Sequence, residues 1–140
     1  FILMAEDAQI GFPETSIGTC VGGGVSKLLP ELVGLAQARR LLFTGRRIDG
    51  EEAASIGLAT SSWTADSLLD EARALAGQLA KQAPVSIAML KRLVNQGSDT
   101  HLESQLQQEL DAVFTCSTTE DWQEGVDAFA EKRAPLFKGK

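Results

Sequence analysis

The segment Gly11-Phe12-Pro13-Glu14-Thr15-Ser16-Ile17-Gly18, followed after three residues by Gly22-Gly23-Gly24, governs how the rest of the chain is read. It sets a carboxylate directly after a short apolar strand and a proline, close to a glycine loop whose backbone can pass near another surface. Upstream of it, Phe1 to Ala5 and Gln9 to Phe12 have the composition of short strands. Downstream, Val25 to Leu29 opens a helix, and from Pro30 onward a 3.6-residue periodicity takes over. Strands and glycine come first and helices after, so two regimes share one chain.

Leu35, Ala38, Leu41 and Leu42 share one helical face, which Thr44-Gly45 ends. Asp49 and Glu52 have capping-box spacing, so Gly50 to Ile56 is expected to be a short helix stopped at Gly57. Leu58 to Trp63 reads as an edge strand. Asp66 is then expected to cap a helix burying Leu68, Leu69, Ala72, Leu75, Ala76 and Leu79. Pro84 suits the first turn of a further helix reaching about Asn95, with Gly97 as its stop. His101 to Phe114 carries Leu102, Leu106, Leu110 and Val113 on one side, and Thr118 or Thr119 can cap a last helix to Arg133 before Pro135. Four helical stretches after Trp63 present more apolar surface than they can cover for one another, so a partner surface is expected.

Thirteen Lys and Arg against nineteen Asp and Glu give a net charge of −6, which disfavours a broad electrostatic grip on nucleic acid or anionic membrane. No stretch has the roughly 18 uninterrupted apolar residues of a membrane span. Cys20 and Cys116 are too few for a disulfide framework, which favours a reducing compartment, and with His101 the only histidine no metal site is expected. A cytoplasmic location is the expectation, with mitochondrion and peroxisome left open. Phe1 opens what looks like a strand without a lead-in turn, so the chain is read as a piece of a longer protein.

A Pro-Glu in a turn is ordinarily solvated, and Glu14 becomes a candidate acid or base only through its place at a rigid strand end beside a glycine loop. Gly22-Gly23-Gly24 before a helix can offer amides to an anion, but the Lys-Ser/Thr of a nucleotide-binding loop is missing, and a tight turn that lets the helix pack serves equally well. Cys20 has no evident base nearby and reads as a small buried residue.

These residues, with Ala5-Glu6-Asp7-Ala8, Leu29-Pro30-Glu31-Leu32-Val33-Gly34, Leu42-Phe43-Thr44-Gly45-Arg46-Arg47-Ile48, Glu52 to Leu58 and Glu124 to Arg133, in this order, resemble the enoyl-CoA hydratase/isomerase, or crotonase, superfamily. The resemblance runs over essentially all of the chain. It implies a crotonase-like (ClpP/crotonase) α/β fold: residues 1–62 would be the end of the ββα spiral core, and residues 63–140 a helical C-terminal trimerisation region. It further implies an enoyl-CoA hydratase, with the acyl-CoA thioester as substrate rather than a cofactor, in a homotrimer or hexamer.

Glu14 matches the family's second glutamate, which handles the proton at C2 of the acyl group, and Gly22 matches a glycine lining the acyl pocket. Phe129 and Lys132 match positions that reach the CoA adenine and phosphate region. By local chemistry alone, Phe129 would be core and Lys132 a solvated helix end. The oxyanion-hole amides and the first hydratase glutamate would lie upstream of Phe1, so the segment alone is expected to be nearly inert. Apolar neighbours such as Phe12 and Ile17 are expected to shield Glu14 from water. An isomerase that shuttles one proton, or a non-catalytic oligomerisation or CoA-binding fragment, are the alternatives. Gly22 stands where the family's 3-hydroxyisobutyryl-CoA hydrolases carry an acid, which disfavours that hydrolysis. Val21 stands where many members have proline, and Trp122 replaces the usual basic residue.

Overall fold

The computed structural model describes residues 1–140, which divide into two units, Phe1–Ala74 and Leu75–Lys140. In the first, β1 (Leu3–Ala5) pairs in parallel with β4 (Ser61–Trp63), in the register Leu3 to Ser61 and Ala5 to Trp63. β2 (Ile10–Gly11) pairs antiparallel with β3 (Arg47–Ile48). Both early strands are shorter than their composition suggests, because only these residues find a partner edge. The expected strand over Leu58 to Trp63 likewise shortens to β4: Leu58 and Ala59 instead bond their amides to the Ala53 carbonyl and are buried there.

Between the strands lie α1 (Val25–Thr44) and α2 (Gly50–Ser55). Helix α1 runs through Pro30 and breaks instead at Gly34, where φ 76° and ψ 157° lie in a region essentially closed to residues with a Cβ. The break lets Leu29 on one side and Ala38 and Leu41 on the other enter a single core with Ile48, Ala53, Leu58 and Ala59. Leu41 is 2% exposed, whereas Leu35 at 54% falls outside that core. Asp49 caps α2 as its spacing predicts, its Oδ1 accepting the Glu52 amide at 2.8 Å, and Glu52 pairs with Arg46. Gly50 lies against the Ala5 carbonyl with no room for a Cβ, which fixes α2 beside the β1–β2 loop.

Helix α3 (Leu68–Leu79) departs from expectation at its start. The Thr64 carbonyl accepts the Ser67 and Leu68 amides, and the Thr64 and Ser67 hydroxyls bond to each other at 2.8 Å, so a Thr-Ser turn stands where Asp66 was expected to cap. None of its six predicted core residues is fully buried.

In the second unit, α4 (Pro84–Gly97) packs on α5 (Leu102–Ser117), and α5 on α6 (Glu120–Glu131). Gln105 Nε2 reaches the Leu93 carbonyl and Ser86 Oγ reaches Cys116 Sγ, a pairing that makes α4 and α5 antiparallel. The face α5 turns inward carries Gln105, Ala112 and Cys116. Leu102, Leu106, Leu110 and Val113 are 51–73% exposed, so the more apolar stripe points outward. Of the two candidate caps of α6, Thr119 serves: its Oγ1 accepts the Trp122 amide at 3.1 Å. No helix is long and apolar enough to cross a membrane.

Candidate active site

Glu14 and Gly22 lie in the first unit, Phe129 and Lys132 in the second. Glu14 sits on one 3₁₀ turn, Pro13–Ile17, for which Pro13 supplies the fixed φ of a first-turn residue. Gly18, left-handed at φ 76°, and Thr19 both donate their amides to the Glu14 carbonyl, closing the turn behind the side chain. The turn rests on the end of α1: Thr15 Oγ1 donates to the Leu42 carbonyl at 3.2 Å, and Gly45 faces Ser16. The turn that carries the carboxylate is thus braced on both sides.

Its Oε2 is buried and has no hydrogen-bond partner. An unpaired buried oxygen typically costs about 1–3 kcal/mol, and such atoms in native structures call for a reason, a catalytic role among them. Phe12 lies half-buried against the core, but Ile17 is 76% exposed and does not form the expected apolar wall, because the turn directs it away from the core.

Gly22 is exposed with open space where a Cβ would lie, and its φ is not positive. The tight turn belongs to Gly23 and Gly24, at φ 62° and 84°. The Val25 amide bonds the Gly22 carbonyl, and those of Lys27 and Leu28 bond the Gly24 carbonyl. These three amides close the loop on itself, the tight turn that lets the helix start. Cys20 is exposed rather than buried, since the loop leaves the core behind Gly18.

Phe129 is 88% exposed, against the core position its type suggests, because α6 packs through Ala128 on the adjoining face. It forms part of the wall of a cavity of about 360 Å³ with Cys116, Trp122, Val126 and Phe137. Trp122, without evident purpose in sequence, is thereby a wall residue. Lys132 ends α6 in the left-handed region, at φ 56° and ψ 39°, and is the one non-glycine residue with positive φ. Its amide donates to the Phe129 carbonyl and that of Arg133 to the Ala128 carbonyl, the Schellman arrangement that glycine usually completes. A lysine there costs about 1–2 kcal/mol.

Arg133 forks onto Glu124, with Nη1 donating to Oε1 at 2.5 Å and Nη2 to Oε2 at 2.9 Å, and Glu124 Oε1 also accepts the Leu136 amide. These bonds to its charged form hold the Glu124 carboxyl at about 2. Asp121, 4% exposed, accepts the amides of Lys138 and Gly139. Asp121 lies in the first turn of α6, where an acid ordinarily only complements the helix dipole, so its role has no signal in sequence. For Glu124 the available signal is the nine-residue interval to Arg133, spanning a helix end.

The sequence profile of the enoyl-CoA hydratase/isomerase family matches residues 1–140. The chain is 37% identical over 137 residues to the probable enoyl-CoA hydratase 2, mitochondrial, of Arabidopsis thaliana, covering 98% of this chain and 46% of that protein. It is 34% identical over 140 residues to the crotonyl-CoA hydratase of Syntrophomonas wolfei, covering 100% of this chain and 54% of that one. The crystal structure of an enoyl-CoA hydratase from Bacillus anthracis superposes with a TM-score of 0.96 at 34% identity, over 100% of this chain and 54% of the other. The chain therefore spans about half the length of the curated relatives it matches.

Proposed function

The chain belongs to the enoyl-CoA hydratase/isomerase family and has its fold, and from that premise we propose that it is the C-terminal half of a hydratase subunit that reversibly adds water to a 2-enoyl-CoA thioester. In this reading residues 1–62 close the spiral core and residues 63–140 form the oligomerisation region of a homotrimer or hexamer. The segment that the relatives possess in addition supplies the oxyanion donors and the carboxylate that activates water.

Glu14 is the general acid/base at C2. Proton transfer there passes through an enolate-like thioester, and its oxygen needs preorganised donors in a site kept from water. The observation that carries this role is the buried Oε2 on a backbone-braced turn, an oxygen with no partner within the chain. Open space over Gly22 suits an acyl chain. Phe129 offers an exposed ring to the adenine and Lys132 a cation to phosphate, its ammonium engaging no carboxylate.

In the full-length protein, Glu14→Gln is expected to lower crotonyl-CoA hydration by orders of magnitude with KM nearly unchanged. Retained turnover would remove Glu14 from the mechanism. The 140-residue chain alone is expected to be nearly inert, and mixing it with the separately expressed N-terminal half to restore hydration. Assembly without turnover at any ratio would favour a binding module instead, the reading that the exposed stripe of α5 supports. Because this chain supplies only one carboxylate, Glu14, to the proposed site, a one-glutamate isomerase is the second enzymatic reading. A 3-enoyl-CoA assayed beside crotonyl-CoA separates the two.

A further inference from the structure

We infer that Glu124 and Arg133 are positioning residues that hold Lys132 in its left-handed conformation as a fixed cation for the phosphate end of the substrate. The inference rests on the reading that Lys132 meets CoA. Three observations carry it. Lys132 occupies the glycine position of a Schellman motif and is the one non-glycine residue with positive φ, so the backbone is in a conformation its own side chain disfavours. Such a conformation persists only where its surroundings over-determine it, and here they do. The next residue, Arg133, is clamped by two parallel bonds to Glu124, while Glu124 Oε1 also takes the Leu136 amide beyond the reversal. Arg133 Nε further bonds Glu131 at 2.6 Å, so Lys132 lies between two tethered neighbours. Finally, both nearby acids are engaged by Arg133, which leaves the Lys132 ammonium exposed and without an ion pair.

A lysine on a freely fraying helix end would sample many directions and lose entropy on meeting a phosphate. A lysine whose backbone is locked loses less, and the clamp therefore acts on recognition rather than on proton transfer.

The test compares crotonyl-CoA with crotonyl-pantetheine, which lacks the nucleotide, in the full-length protein. Glu124→Gln and Arg133→Lys are each expected to lower the ratio of kcat/KM for the two thioesters on the order of tenfold, through KM for the CoA substrate. A merely structural role would lower both rates together and leave the ratio unmoved. If Lys132→Ala lowers the ratio and the two clamp variants do not, the positioning role is overturned while the contact of Lys132 with CoA stands. If Lys132→Ala leaves it unmoved, that contact fails, and the inference fails with it.

Should a clamp variant not fold, the 140-residue chain supplies a second measurement. Lys132→Gly is expected to melt a few degrees above Lys132→Ala, on the order of 2–4 °C for each kcal/mol of relieved strain, since both lack the cation and only glycine accepts the conformation freely. Equal midpoints would overturn the claim that Lys132 is held in the left-handed region.

Discussion

A Cβ built on Gly45 would lie 2.6 Å from the hydroxyl oxygen of Ser16, so the end of α1 and the turn that carries Glu14 meet where a side chain is missing. Gly45 is also left-handed at φ 62°, with its amide bonded to the Leu41 carbonyl. Two separate demands, conformation and space, therefore fall on one residue. Gly45→Ala is expected to destabilise the chain by about 1–2 kcal/mol in urea unfolding, and Ser16→Ala to recover part of that loss. Equal losses in both backgrounds would show that the Ser16 hydroxyl simply turns aside.

Asp121 ties the C-terminal segment to the start of α6, its two oxygens taking the amides of Lys138 at 2.6 Å and Gly139 at 2.8 Å. Asp121→Ala leaves both donors without a partner and is expected to cost about 2–4 kcal/mol. Hydrogen exchange at those two amides should accelerate in the variant. Unchanged protection would mean that the segment is held by its Phe137 contact with Gly125 instead.

Acid should reach Glu124 late. Its folded-state carboxyl lies at about 2 against an ordinary 4.5, held down first by Arg133 and then by the Leu136 amide. A depressed carboxyl contributes stability that is fully present above its unfolded value and is lost as the pH falls from about 4.5 through 2. The unfolding free energy of the wild-type chain should therefore fall over that window, and Glu124→Gln should flatten this part of the profile. Parallel profiles for the two proteins would contradict the assignment.

The inward and outward faces should respond differently to truncation. Leu41→Ala, at a side chain 2% exposed, is expected to cost about 2–5 kcal/mol. Leu106→Ser and Leu110→Ser, at 51% and 63% exposure, should shift the stability of the isolated chain by no more than about 0.5 kcal/mol. In the full-length protein the same two changes should weaken self-association in sedimentation, if the stripe of α5 is an oligomer contact. Unaltered association would assign the stripe elsewhere.

Much of this was legible in the order of residues, because the relevant physics is local. The Asp49 cap, the Thr119 cap and the stop at Gly45 depend on groups within a few positions of one another, and each is found where its spacing predicts. The family resemblance, carried by ordered motifs around Glu14 and the glycine loop, is likewise a property of the chain as a string, and the profile match over residues 1–140 agrees with it.

Only the tertiary structure decided what depends on distant neighbours. Hydrophobic periodicity gives the apolar face of a helix but not whether the chain covers it, so the stripe of α5 is exposed while Ala112 is buried. That Gly34 rather than Pro30 breaks α1 follows from the core on either side of it. The bare oxygen of Glu14 and the clamp that holds Lys132 involve partners, or missing partners, set by the folded backbone. Sequence fixes local conformational preference, whereas solvation and long-range hydrogen bonding exist only once separate segments have been brought together.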